Sequence, residues 1–173
     1  MSAEELRAKI REIPDFPKPG ILFYDITTLL KDAAAFREAI DLMVEPYASE
    51  RIDVVVGMES RGFIFSAPMA LRLEAGLVPV RKLGKLPAET VSVEYALEYG
   101  SNTLEVHRDA IEAGERVLIV DDLLATGGTV RGTIELVEQL GGEVVGLAFL
   151  VELEFLKGRD RLSGRRVTSV ITY

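Results

Sequence analysis

Three segments constrain this chain more than any others: 53–57 (Asp-Val-Val-Val-Gly), 116–121 (Arg-Val-Leu-Ile-Val-Asp) and 143–152, which contains Val-Val-Gly-Leu-Ala-Phe-Leu-Val. A strand with one wet face alternates polar and apolar residues. A nearly unbroken apolar run needs cover on both faces, the habit of parallel sheets. Helical periodicity fills the intervals. Asp32 stands as an N-cap before Phe36, Ile40, Met43, Val44 and Tyr47, which recur at three- and four-residue spacing. Val130, Ile134, Val137 and Leu140 repeat the pattern and stop at Gly141-Gly142. A further helix is expected between Gly62 and Leu73, starting just before Pro68 or bent there. Strands alternating with helices predict an α/β fold: a mainly parallel central sheet flanked by helices, with ligands at the carboxyl ends of the strands.

One segment departs from that pattern. From Thr90 to Glu98 the chain alternates strictly, with Val91, Val93, Tyr95 and Leu97 on one face and Ser92, Glu94, Ala96 and Glu98 on the other. After Gly100-Ser101-Asn102, Leu104 and Val106 resume the alternation, which reads as an antiparallel hairpin projecting from the parallel core. The first ten residues, with charges spaced between apolar positions, read as a short surface helix rather than a targeting segment.

Composition removes several chemistries. The 173 residues suit a single domain that buries roughly 70% of its unfolded surface, without need of disulfides or structural metal. Zero cysteines exclude a thiolate nucleophile and a zinc-thiolate site, and fit a reducing compartment such as the cytoplasm. A lone histidine, His107, cannot supply a multi-histidine site, so any metal must be a hard cation on oxygens, Mg²⁺ first among them. The longest apolar run, 144–151, is far too short to span a bilayer. A net charge of −8 argues against nucleic acid or an anionic membrane as partner. Yet between Glu74 and Glu89 there is no acid and there are three bases, Arg81, Lys82 and Lys85, a place for a small anion.

The chemistry concentrates in residues 117–129, Val-Leu-Ile-Val-Asp-Asp-Leu-Leu-Ala-Thr-Gly-Gly-Thr. A buried strand ends in two carboxylates, Asp121 and Asp122. A short loop, Ala125, Thr126, Gly127, Gly128 and Thr129, then leads into a helix. Glycines let the backbone approach a ligand, and the helix start offers unpaired N–H groups and a favourable dipole. The threonine hydroxyls add donors, so the loop can wrap a phosphate while the aspartates accept hydrogen bonds from a vicinal diol. A phosphate beside a diol describes a ribose 5-phosphate. No Gly-x-x-x-x-Gly-Lys-Ser/Thr is present, and no Gly-x-Gly-x-x-Gly follows a strand.

This stretch resembles the phosphoribosyl pyrophosphate (PRPP) motif of type I phosphoribosyltransferases. The segments 16–23 (Phe-Pro-Lys-Pro-Gly-Ile-Leu-Phe), 25–27 (Asp-Ile-Thr), 59–63 (Glu-Ser-Arg-Gly-Phe), 81–87 (Arg-Lys-Leu-Gly-Lys-Leu-Pro), 97–100 (Leu-Glu-Tyr-Gly), 151–153 and 156–158 narrow it to the adenine-specific branch. The resemblance implies a hood over about residues 1–30 and a mobile hairpin over about 82–108. It implies transfer of the phosphoribosyl group to N9 of adenine with release of AMP and pyrophosphate, assisted by Mg²⁺ bound mainly through PRPP with help from Asp121.

Residue by residue, the resemblance places the ribose hydroxyls on Asp121 and Asp122, and the 5-phosphate on Ala125, Thr126, Gly127, Gly128 and Thr129. Pyrophosphate falls to Ser60 and Arg61, in a loop that often holds a non-proline cis peptide, and to Arg81 and Lys85 as further ligands, with Lys82 less strongly indicated. Glu98 is the acid facing the base, and Tyr99 packs over the site on closure. Leu22, Phe23 and Tyr24 read and stack the base against Leu153, although the position of Tyr24 is often basic in this family. His107 receives no catalytic role. Because such enzymes share basic loop residues between subunits, a homodimer is implied. A phosphoribosyltransferase for another base such as xanthine or guanine carries the same motif. So does a non-catalytic PRPP-sensing regulator, which the acidic balance and the lack of a helix-turn-helix-sized extension disfavour.

Overall fold

A computed structural model describes residues 1–96 and 100–173. The chain opens with α1 (Ala3–Arg7), where Ser2 and Glu5 cap one another reciprocally. β1 (Arg11–Ile13) and β2 (Phe23–Asp25) follow as a separate antiparallel pair, the expected hood region. Next come α2 (Thr27–Leu30) and α3 (Ala33–Val44), the latter capped as expected by Asp32 on the N–H groups of Ala34 and Ala35. Tyr47 lies beyond α3, because Pro46 tightens the chain into a 3₁₀ turn at Glu45–Tyr47.

β3 (Val54–Met58) leads to α4 (Gly62–Arg72), which holds Pro68 in its interior rather than starting just before it. β4 (Gly76–Lys82), β5 (Thr90–Ala96) and β6 (Ser101–His107) precede β7 (Arg116–Leu124), α5 (Gly128–Gln139), β8 (Glu143–Glu152) and β9 (Val167–Thr172). Among the described residues the main sheet has seven strands in the order β5-β6-β4-β3-β7-β8-β9. The five from β4 to β9 are parallel. The hairpin β5-β6 is antiparallel and joins the sheet through Arg81 opposite Glu105 and Lys82 opposite Leu104, so it extends the sheet.

The three apolar runs are buried because both faces are covered. Val55, Leu118, Val120, Ala148 and Leu150 pack with Ile40, Met43, Phe65 and Met69 on one side. Val54, Val56, Val117, Ile119, Leu147 and Phe149 pack on the other with Val130, Ile134 and Val137 of α5 and with Val93, Leu104 and Val106 of the hairpin. Each of these side chains larger than alanine contributes about 1.5–3 kcal/mol on full burial. These two layers hold the carboxyl ends of β3, β4, β7 and β8 side by side.

Candidate functional site

β7 runs three residues further than its sequence suggests, because β8 continues beside it to Leu124 opposite Glu152. Asp121 and Asp122 therefore sit inside the strand, near its carboxyl end, rather than beyond it. Alternation sends the two side chains in opposite directions from the strand axis. Asp122 is 6% exposed and forms an ion pair with Arg61, Nε lying 2.6 Å from its carboxylate. Asp121 accepts the Asp122 backbone N–H at 2.8 Å. Desolvation first, and the neighbouring Asp122 carboxylate second, hold the Asp121 carboxyl well above the usual carboxylate range.

The loop 125–129 forms as expected. Gly127 is the N-cap of α5 with a left-handed backbone, φ +86°, and no side chain caps the helix start. That leaves the first N–H groups of α5 available to an anion. The close packing behind the loop explains a glycine in the 156–158 segment: a Cβ on Gly158 would lie 2.4 Å from the Ala125 carbonyl oxygen, and one on Gly127 2.8 Å from that of Gly158. On the open side the Thr129 hydroxyl is 3.4 Å from the Tyr95 hydroxyl of β5.

A cleft of about 490 Å³ joins these groups, with Ser60, Arg61, Lys82, Asp121, Asp122 and Thr129 on its walls. The Glu59–Ser60 peptide is cis, in the loop where the family resemblance implies one. Of the basic island, Lys82 lines the cleft, whereas Arg81 and Lys85 turn onto Glu59 at 3.3 Å and 2.5 Å. Glu59 also accepts the Lys82 backbone N–H at 2.9 Å. Burial alone would raise the Glu59 carboxyl, but the Lys85, Lys82 and Arg81 contacts outweigh it and hold it below its ordinary range. Glu59 thus ties the loop after β3 to the loop after β4. Its contacts span 22 to 26 residues, and no local pattern announces them.

A second pocket, about 140 Å³ and mainly apolar, opens beside the cleft. Leu22, Phe23, Tyr24 and Leu153 line it together with Ile21, Ile26 and Val151. Phe16 meets Phe23 edge to face at 5.1 Å between centroids. The Arg61 guanidinium carbon lies 5.7 Å from the Phe23 ring centroid. Arg61, Asp122 and Leu123 border both cavities, so the two meet at Asp122. Tyr24 stacks on Tyr173 with centroids 3.9 Å apart. Behind it, Asp25 accepts from the Thr27 hydroxyl and from Arg11 and falls to about 2, which ties β2 to β1.

Glu98 and Tyr99 lie outside the described residues. Tyr95 and Asn102 also line the cleft, and neither was singled out from the sequence as a site residue. Tyr95 carries a signal only in its place on the alternating face that carries Val93. His107 proves to be a hairpin tie: its Nε2 accepts the Ala88 N–H at 3.3 Å.

Comparison with known proteins gives a consistent result. Residues 25–170 match the family model described as the phosphoribosyl transferase domain. The chain is 60% identical to the adenine phosphoribosyltransferase of Acidobacterium capsulatum, covering 100% of this chain and 96% of that protein. It is 58% identical to that of Chloroflexus aurantiacus over the full length of both. Among solved structures, the adenine phosphoribosyltransferase of Thermoanaerobacter pseudethanolicus superposes with a TM-score of 0.96 at 54% identity, covering 99% of this chain and 100% of that one. The Saccharomyces cerevisiae enzyme, complexed with an imino-altritol bisphosphate and adenine, superposes with a TM-score of 0.92 at 43% identity, with 97% of each chain covered.

Proposed function

The chain belongs to the phosphoribosyltransferase family as an adenine phosphoribosyltransferase, and from that premise we propose how its own residues transfer the phosphoribosyl group of PRPP to adenine, giving AMP and pyrophosphate in purine salvage. The observation that carries the reading is the meeting of a phosphate cradle and an apolar slot at Arg61, Asp122 and Leu123.

The 5-phosphate rests on residues 125–129 and the free N–H groups of α5. The ribose hydroxyls donate to Asp121 and Asp122, which places C1 at the mouth of the base slot. Adenine lies between Phe23 and Leu153, with the backbone of residues 22–24 reading its edge. Adenine reacts as its N7–H form: the N9 lone pair forms a bond to C1 as the bond from C1 to pyrophosphate breaks, and N7 gives up its proton. Glu98 hydrogen-bonds N7 and moves that proton. Ser60, Arg61 and Lys82 meet the pyrophosphate. Arg81 and Lys85 join them by leaving Glu59, exchanging one anionic partner for another. The departing charge and the cationic ribose both need fixed, oriented groups and exclusion of water, which closure of the hairpin over about residues 82–108, with Tyr99, supplies.

Mg²⁺ fits this donor set. It binds through one or two carboxylates plus substrate phosphates, and Asp121 and Asp122 offer hard oxygens beside the pyrophosphate position. Asp121 would hold it together with PRPP, and the ion would neutralise charge on the leaving pyrophosphate. A homodimer is part of the same reading. So are a single domain and a cytoplasmic place of work.

The direct test is steady-state turnover with PRPP, Mg²⁺ and each candidate base. Adenine should be consumed far faster than guanine or xanthine, and equal turnover of guanine would sink the assignment. Glu98→Gln should lower kcat by roughly 10²–10⁴-fold with an unchanged melting temperature.

A further inference from the structure

Tyr173 lies away from the PRPP cleft, yet it holds both walls of the base slot. One wall is the β2 segment with Phe23 and Tyr24, and the other is Leu153 after β8. The ring of Tyr173 stacks on Tyr24 with centroids 3.9 Å apart and planes inclined by 33°. Its main chain brackets Leu153: the Tyr173 N–H donates to the Glu152 carbonyl at 2.9 Å, and the Glu154 N–H donates to the Tyr173 carbonyl at 3.0 Å. Arg7 of α1 lies over the same ring, 4.2 Å from its centroid, and donates to the Thr172 carbonyl at 3.1 Å.

We propose that Tyr173 is a positioning residue that sets the width of the base slot, its backbone fixing the Leu153 wall and its ring fixing the Phe23–Tyr24 wall. This rests on the slot being the adenine site. A planar base gains from both faces only if the walls stand at one ring thickness. β2 belongs to a two-stranded sheet separate from the main one, so its distance from β8 is not set by any ladder between them. The Tyr24–Tyr173 stack supplies that missing tie.

The test is kinetic, on the full chain, with the KM of each substrate measured at saturation of the other. Tyr173→Ala keeps both backbone bonds and removes the ring. It should raise the KM for adenine about three- to tenfold, the value of one aromatic pair, and leave the KM for PRPP unchanged. Tyr173→Phe should restore wild-type values, since the ring and not the hydroxyl makes the stack. Should the alanine variant fold poorly, Tyr173→Leu gives the same readout with the apolar bulk retained. An unchanged adenine KM in the folded variant, or equal rises in both KM values, would overturn the clamp. Phe23→Ala separates the two levels. If it raises the adenine KM while Tyr173→Ala does not, the clamp alone fails; if it leaves the adenine KM unchanged, the slot assignment falls and the clamp with it.

Discussion

The two ends of the parallel sheet treat the same residue types in opposite ways. At the amino ends, charges are satisfied by one another. Arg116, the first residue of β7, donates to Glu50 at 3.2 Å, to Glu143 at 3.3 Å and to the Arg51 carbonyl at 2.8 Å. Its backbone N–H reaches Asp53, which also takes Arg51, while Arg166 reaches Glu50. The Arg51 hydrogen bond first, and the Arg116 N–H second, hold Asp53 below its ordinary range. At the carboxyl ends Asp121 is desolvated and has a second carboxylate for a neighbour, and the burial first and that neighbour second push its carboxyl up. Asp53 and Asp121 stand at opposite ends of adjacent strands, one paired with a cation and the other crowded by a second carboxylate. A charge paired with its opposite stabilises the fold; a carboxylate crowded by another is available to a ligand.

Variants can break this contrast, and the largest effect belongs to the carboxyl end. Asp122→Asn keeps the shape and removes the charge. It should lower kcat by about 10²–10³-fold with little change in melting temperature; wild-type kinetics would refute the role given to Asp122. Gly127→Ala puts a Cβ at a φ of +86° and 2.8 Å from the Gly158 carbonyl oxygen. Strain of this kind should raise the KM for PRPP about tenfold and leave the adenine KM alone. At the amino end the pattern should invert. Arg116→Ala should cost about 2 kcal/mol of stability, seen as a fall of roughly 4–8 °C in melting temperature, while both KM values and kcat hold.

How far the sequence reached follows the same division. β8 was legible to the residue because a continuous apolar run has few alternatives, and the cradle at 125–129 because its glycines and threonines are contiguous. β4 escaped notice: Pro79 interrupts it, and only alternate positions such as Val78 and Val80 are buried. β9, with Thr168 and Ser169 in its middle, shows no apolar run at all. Among site residues, Asp121, Asp122 and Arg61 were legible by type, but the pairing of Arg61 with Asp122 and the capture of Arg81 and Lys85 by Glu59 were not. Those contacts join residues brought together only when the sheet forms. Tyr173 was invisible for the same reason, since its partner Tyr24 lies at the other end of the chain.

The central claim is that the carboxyl end crowds two carboxylates together at the expense of stability, and Asp121→Asn tests it most directly. Because the folded-state pKa of Asp121 is raised, wild-type stability is undiminished below the ordinary carboxylate pKa of about 4 and is lost as pH rises from there through the folded value. Asparagine carries no such loss. Melting temperatures of variant and wild type, measured from pH 4 to pH 8 without ligand, should start together and diverge, with the variant ahead by about 2–4 °C for each kcal/mol relieved while its turnover falls. A variant that melts at or below wild type at pH 8, or a gap that does not grow with pH, would contradict the account.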